Sequence, residues 1–145
     1  MSYERLIQEH DAIDAFARKL AAAAELNPDT DHVMTLLWDL SLAVGQHLRH
    51  EDRSVYQPLL DGPADTKLAS SRDFEQMFQD LRSDWEQYLG DWNSETVAAD
   101  RATFKHETAT MMTRLRERVR AETTLLYPAA LQCGAIRLRD QLPGA

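Results

Sequence analysis

Apolar positions recur along the chain at alternating spacings of three and four residues, the period of an α-helix that buries one face. This recurrence stops at three groups of helix-breaking residues, Asn27–Asp29, Asp61–Pro63 and Trp92–Ser94. The predicted helices span 2–26, 29–60, 65–92 and 95–127, with a short C-terminal helix after Pro128. Short connections favour antiparallel neighbours. The predicted fold is therefore all-α, an up-down-up-down four-helix bundle that occupies residues 1–145 as one domain.

Side chains at the helix starts support these boundaries. Asp29 or Thr30 can cap the second helix and Ser94 the fourth, because their oxygens accept hydrogen bonds from the unpaired amides of a first turn. The buried stripe of the fourth helix is predicted to run from Phe104 to Leu125.

Ionisable residues interrupt three of the four apolar stripes. They are His10 on the first stripe, His47 and Glu51 on the second, and Arg118 and Glu122 on the fourth. At 1.5 Å of rise per residue, His10 and His47 both lie roughly 25–27 Å from the turn at Pro28, so they are level with each other. Counted along the fourth helix from the turn at Trp92–Ser94, Arg118 and Glu122 lie further from their turn, at roughly 34–40 Å, so whether they share this level depends on the geometry of the loops.

Burying an unpaired ionised group costs several kcal/mol, so these side chains must satisfy one another or bind something. In one solution, His10, His47, Glu51 and Glu122 converge on a divalent metal ion, since imidazole and carboxylate suit iron, zinc and manganese. In the other, Arg118 pairs with both glutamates in a salt-bridge network without a metal. The two solutions are compatible, because an arginine beside a metal site can offset the second carboxylate.

Two segments look like copies of one motif. One is His47–Glu51 followed by Tyr56-Gln57-Pro58, and the other is Arg118–Glu122 followed by Tyr127-Pro128. Together with Glu9–Ile13, they resemble the hemerythrin-like (HHE cation-binding) family, in which four helices hold a carboxylate-bridged di-iron site. The resemblance spans nearly the whole chain. It implies that His10 and His47 match the family's histidines on the first two helices, and that Glu51 and Glu122 match its bridging carboxylates.

The sequence departs from that family pattern at two positions. Arg118 stands where the fourth helix normally supplies a histidine, and Phe74 stands where the third helix does. The resemblance therefore implies that one half-site is kept and its neighbour is lost, which argues against a dinuclear oxygen carrier or a di-iron oxidase.

Two functions stay open at this stage. The first is a metal-binding protein with a mononuclear 2-His-2-carboxylate site, which holds one divalent ion per chain, iron as first choice and zinc as second. Such a protein would work in oxygen, nitric oxide, redox or metal sensing or handling, with a small diatomic molecule as a further ligand. The alternative is a metal-free regulatory or protein-interaction bundle in which Arg118 replaces the metal.

Composition narrows the remaining classes. Twenty-four acidic residues against sixteen basic ones give a formal charge of -8, which argues against nucleic acid and anionic membranes as partners. No apolar run approaches the roughly 18 residues of a membrane span, and Cys133, the single cysteine, cannot form an internal disulfide. We therefore expect a cytoplasmic protein. Apart from the candidate ligands there is no acid-base or nucleophilic set, so a binding protein is expected before an enzyme.

Overall fold

A computed structural model describes the backbone of residues 1–60 and 68–140, and the side chains within those ranges except at 59–60, 68–75 and 77. In chain order, the helices are α1 (Tyr3–Leu26), α2 (Thr30–Glu51), α3 (Gln57–Leu60), α4 (Leu68–Asp91), α5 (Ser94–Ala99), α6 (Arg101–Ala121) and α7 (Tyr127–Gln132). Two π-helical segments make continuous connections, Asp52–Tyr56 between α2 and α3 and Glu122–Leu126 between α6 and α7.

The four long helices, α1, α2, α4 and α6, form a bundle. Helix α1 packs against both α2 and α6, and α4 packs against α6. The described residues contain no β-strand, so the predicted all-α four-helix bundle with a short C-terminal helix is confirmed. No helix in residues 1–60 and 68–140 is both long and apolar enough to cross a membrane.

Helix starts are set by local side-chain caps. Asp29 caps α2 by accepting a hydrogen bond from the Asp31 amide, which decides between the two predicted candidates. At α5 the cap is Asn93 rather than the predicted Ser94, because Asn93 and Thr96 exchange side-chain and backbone hydrogen bonds in a capping box.

The fourth predicted helix is broken into two at Asp100. The backbone of Asp100 is not helical (φ −145°, ψ 71°), and its carboxylate accepts from the Thr103 amide to cap α6. An aspartate in this position satisfies the first-turn amides of a new helix, so the chain restarts rather than continues. The continuous helix predicted over 95–127 is therefore wrong at this point.

Two apolar clusters build the core, and a polar layer lies between them. On α1, His10 falls between Leu6 of the smaller cluster and Ile13 of the larger one. At the ends of α2 and α6, the ionisable residues likewise lie between residues of the larger cluster and, in the π-helical segments that follow, residues of the smaller one. The smaller cluster consists of Leu6, Val55, Tyr56, Leu126, Tyr127, Ala130 and Ile136. The ionisable side chains found on the apolar stripes therefore occupy one level of the bundle.

Arg101, the first residue of α6, ties that helix to the end of α1. Its guanidinium donates to the carbonyl oxygens of Ala24 at 3.2 Å and Ala23 at 3.0 Å, and also to that of Asn27. The Ala24 carbonyl belongs to the last turn of α1, whose carbonyls find no amide further along the helix, so this arginine supplies a donor from another helix.

Beyond the smaller cluster, residues near the two ends of the described chain run side by side. The Tyr3 amide donates to the Arg137 carbonyl at 2.6 Å and the Glu4 amide to the Leu138 carbonyl at 3.2 Å. Ile136 is buried there, with 3% of its surface exposed. The segment after α7 thus covers the smaller cluster and the start of α1.

Candidate metal centre

Four buried side chains from three parts of the bundle meet in the polar layer. His10 comes from α1, His47 and Glu51 from the last turn of α2, and Glu122 from the first position of the second π-helical segment. Each offers one donor atom, and these atoms all lie within 4.8 Å of one another. None of the four residues is more than 4% exposed. The structure thus brings together all four residues named from the sequence.

The donor atoms face a common point. His10 Nε2 lies 2.8 Å from Glu122 Oε1 and 3.1 Å from His47 Nε2. His47 Nε2 lies 3.2 Å from the same Glu122 oxygen and 3.0 Å from Glu51 Oε2. Two ligands bound at about 2.0–2.2 Å to one ion are about 3–3.5 Å apart. The separations therefore match those of ligands that share an ion.

The outer nitrogen of each imidazole is held by a hydrogen-bond acceptor. His10 Nδ1 lies 3.0 Å from Thr123 Oγ1, whose own hydrogen is donated to the Val119 carbonyl, so this hydroxyl accepts from the ring. His47 Nδ1 donates to Glu9 Oε1 at 2.8 Å, and the other Glu9 oxygen accepts from His50. Both rings therefore carry a hydrogen on Nδ1 and turn Nε2 to the centre, as metal-bound histidines do.

The convergent atoms need positive charge at their centre. Two neutral imidazoles held in this way present two nitrogen lone pairs beside two carboxylate oxygens. In the described part of the structure, the Tyr127 hydroxyl is the one neutral group that donates a hydrogen bond among them. The set of two nitrogen and two oxygen ligands suits iron, zinc or manganese. The residues present therefore fit a bound divalent metal.

With protons alone as counter-charge, the pKa values of the cluster shift in opposite directions. Burial acts to lower the pKa of His47, but hydrogen bonds with Glu122, Glu51 and Glu9 outweigh it and raise that pKa to about 11. Burial, together with the Glu122 charge, raises the pKa of Glu51 to about 7. Burial opposes ionisation of Glu122, yet hydrogen bonds with Glu51, His10 and His47 hold its pKa well below the ordinary value. The shifts thus favour positive charge on His47 beside an ionised Glu122.

Arg118 lies on the opposite side of the two carboxylates. Its Nε donates to Glu122 Oε2 at 2.9 Å and its Nη2 to Glu51 Oε1 at 3.2 Å. The guanidinium also lies over the Phe78 ring, 4.7 Å from the centroid. The convergent ligand set and the arginine salt-bridge network, both predicted from the sequence, are therefore present together. The side chain of Phe74, the other position where the family pattern is broken, lies outside the described residues.

Three residues of the centre were not predicted from the sequence to belong to it: Glu9, Thr123 and Tyr127. The Tyr127 hydroxyl donates to Glu51 Oε2 at 2.7 Å and lies 2.9 Å from His10 Nε2. A signal for it was available, since a tyrosine follows each glutamate of the repeated motif by five residues. Glu9 and Thr123 adjoin candidate ligands in sequence, but nothing in the helical period distinguishes them from other polar neighbours.

The π-helical segments explain that spacing of five. In an α-helix, five residues turn a side chain by about 140°, away from the face of the first residue. In the second π-helical segment the Tyr127 amide donates to the Glu122 carbonyl, which is the i to i+5 bond of a wider turn. Both side chains then face the centre. The wider turn also shifts which residue faces the core by one position. Leu125, which was predicted to lie on the buried stripe, is 60% exposed, and Leu126 is buried instead.

An apolar groove between α1 and α6 leads from the surface to the polar layer. Its volume is about 340 Å³, and His10 and Thr123 lie in its wall together with Ile7, Ile13 and Val119. The His10 imidazole thus lies in the wall of this groove as well as at the centre.

The sequence model of the hemerythrin HHE cation binding domain matches residues 1–130. No curated protein and no solved structure matches the chain. The matched range includes the four candidate ligands, Arg118 and Tyr127.

Proposed function

Because the chain belongs to the hemerythrin HHE cation-binding family, we propose that it binds one divalent metal ion through His10, His47, Glu51 and Glu122. Iron is the first choice and zinc the second, since two imidazoles and two carboxylates suit both. Its function is to sense or handle that ion, or a small diatomic molecule such as oxygen or nitric oxide that the ion binds.

The observation that carries this proposal is the convergence of four buried donor atoms within 4.8 Å of one another. The Nδ1 atoms of His10 and His47 are satisfied on the outside, by Thr123 and Glu9. Both Nε2 atoms point inward, each within 3.2 Å of a carboxylate oxygen, and the outer partners keep the rings oriented.

Arg118 supports one ion rather than two. Its guanidinium binds the oxygens of Glu51 and Glu122 that point away from the histidines. In a carboxylate-bridged pair of ions those oxygens would bind the second metal. A fixed positive charge already occupies that side, and a second cation there would be repelled by it.

A bound iron ion would supply one-electron redox chemistry and an open position for a small ligand. The chain supplies the remaining properties of the site. Glu9 and Thr123 fix the two imidazoles, Arg118 balances the second carboxylate, and the groove beside His10 gives access.

Metal content measured by elemental analysis tests this function. We expect protein purified without chelator, or loaded with ferrous iron in the absence of oxygen, to hold at most one tightly bound ion per chain. His47→Ala and Glu51→Ala should each lose that ion, because each removes a ligand. His32→Ala is the matched control, since this histidine is on the same helix but exposed. Two ions inside the bundle, or the absorption bands of oxo-bridged di-iron, would contradict the mononuclear proposal.

The second candidate function is a metal-free regulatory or protein-interaction bundle. Two observations favour it. Arg118 forms salt bridges with both glutamates, and hydrogen bonds with carboxylates raise the pKa of His47 to about 11, so that a proton on His47 can supply positive charge in place of an ion. In that case the wild-type protein would neither contain metal after purification nor take it up on loading, and the same elemental analysis decides between the two functions.

A further inference from the structure

We propose that the phenol oxygen of Tyr127 is a fifth protein ligand of the metal site, binding ferric iron as a phenolate. The inference rests on the proposed metal binding and extends it to a residue outside the histidine and glutamate set. It also specifies the form of the ion that the site holds best, which is the oxidised one.

Geometry carries this proposal. The Tyr127 oxygen lies 2.7 Å from Glu51 Oε2, 2.9 Å from His10 Nε2, 3.3 Å from His47 Nε2 and 3.5 Å from Glu122 Oε1. It thus lies within 3.5 Å of all four candidate donor atoms. A tyrosine that merely supported one glutamate would need only the first of these contacts.

The ring is fixed in this position by its surroundings. Tyr127 is fully buried, its ring stacks on that of His10 with centroids 5.2 Å apart, and Tyr3 packs against it edge-on. Its backbone amide is bound to the Glu122 carbonyl by the wider turn of the π-helical segment. Such turns occur frequently at functional sites. The oxygen is therefore presented to the centre without a search among rotamers.

Charge gives the reason for a phenolate. Tyr127 would keep its proton beside ferrous iron, and with ferric iron its oxygen would hold the ion in place of that proton, which would leave to the solvent, as metal binding to protein ligands commonly releases protons. The added negative charge of the phenolate equals the added positive charge of ferric over ferrous iron. The net formal charge of the ion with Glu51, Glu122, Arg118 and Tyr127 is then the same in both oxidation states. A buried site avoids the cost of an uncompensated extra charge in this way.

Tyr56 provides a matched control inside the same chain. It follows Glu51 by five residues, as Tyr127 follows Glu122, and it ends the first π-helical segment. It is also buried, at 4% exposure, but its hydroxyl has no hydrogen-bond partner among the described residues. It lines a small cavity with Asp52, Arg82 and Arg118. Tyr56→Phe therefore removes the same hydroxyl group as Tyr127→Phe, from a π-helical segment of the same kind. Its hydroxyl lies on the Arg118 side of the two carboxylates.

The experiment compares wild type, Tyr127→Phe and Tyr56→Phe after anaerobic loading with ferrous iron, oxidation with ferricyanide and removal of the oxidant. Iron content and the visible and resonance Raman spectra are then measured. We expect wild type and Tyr56→Phe to show a phenolate-to-iron charge-transfer band with tyrosine ring vibrations. Tyr127→Phe should lose the band. Its affinity for ferric iron should fall by at least about tenfold, because even the loss of a residue that only supports a ligand typically costs that much.

The outcomes separate this inference from the function on which it rests. Wild type that holds one ferric ion but shows no phenolate vibrations would overturn the Tyr127 proposal and leave the four-ligand site standing. A band that persists in Tyr127→Phe would overturn it as well. Wild type that binds no iron would overturn both. If Tyr127→Phe does not fold, as judged by circular dichroism, ring-deuterated tyrosine in Tyr56→Phe decides, because the vibrations must shift if a tyrosine binds the iron.

Discussion

Each of the two buried glutamates divides its oxygens between different partners. One oxygen of Glu51 and one of Glu122 face the histidines, while the other oxygen of each accepts from Arg118. The guanidinium and the ion site therefore lie on opposite sides of the same pair of carboxylates. At the scale of the residue, Arg118 is the group that makes two buried carboxylates tolerable whether or not a metal is present.

Replacement of Arg118 by alanine tests that role. In protein kept free of metal by chelator, we expect Arg118→Ala to lower the free energy of unfolding by about 3–5 kcal/mol, because two buried carboxylates lose their partner. Urea denaturation measures the change. Arg116→Ala on the same helix is the control. The Arg116 side chain is half exposed, and its Nε forms a long ion pair, 3.6 Å, with Asp14 Oδ1. Loss of such a surface pair should cost less than about 0.5 kcal/mol. Equal effects of the two substitutions would show that Arg118 does not hold the polar layer.

At the scale of the element, the predictions from sequence were right where the helical period alone decides. The period placed His10, His47, Glu51 and Glu122 on buried faces, and the structure brings them together. It could not reveal the break at Asp100, because an aspartate within a polar stretch reads equally well as an exposed helical residue. Counted from Arg101 instead of the earlier turn, Arg118 lies roughly 26 Å along its helix, level with the two histidines.

The π-helical segments were beyond prediction for a different reason. An i to i+5 turn differs from an α-turn by one residue, and no residue type enforces it. The sequence showed only that a tyrosine follows each glutamate of the motif by five positions. Under α-helical geometry that tyrosine turns away from the site, which is why Tyr127 was recognised as part of a motif but not as part of the centre.

The contact between α6 and the end of α1 gives a prediction at this scale. Arg101→Ala removes donors to three backbone carbonyls, and hydrogen bonds to a charged group are worth about 1.5–3 kcal/mol each. Because Arg101 is half-buried, water can replace some of these hydrogen bonds in the variant. We therefore expect the free energy of unfolding to fall by about 1–3 kcal/mol overall. Lys105→Ala is the control, since its side chain is exposed and its ammonium group lies 3.4 Å from an exposed Glu25 carboxylate. A thermal melt in which both variants match wild type would refute the tie between the helices.

At the scale of the whole molecule, ion binding should stabilise the bundle, because the candidate ligands come from α1, α2 and the π-helical segment after α6. A ligand that binds only the folded state adds about 2.7 kcal/mol when present at 100 times its Kd. We therefore expect the Tm to rise when ferrous iron or zinc is added to chelator-treated protein and to fall when chelator is restored. His47→Ala should show no such response. An equal rise in His47→Ala would place the stabilising ion elsewhere on the molecule.

The pairing of residues 3 and 4 with residues 137 and 138 has a topological consequence. It brings the start of α1 beside the segment that follows α7, near the polar layer, while the turn at Asn27–Asp29 lies at the far end of α1. A circular permutation that joins the two paired segments and opens the chain at the far turn would keep every contact of the centre.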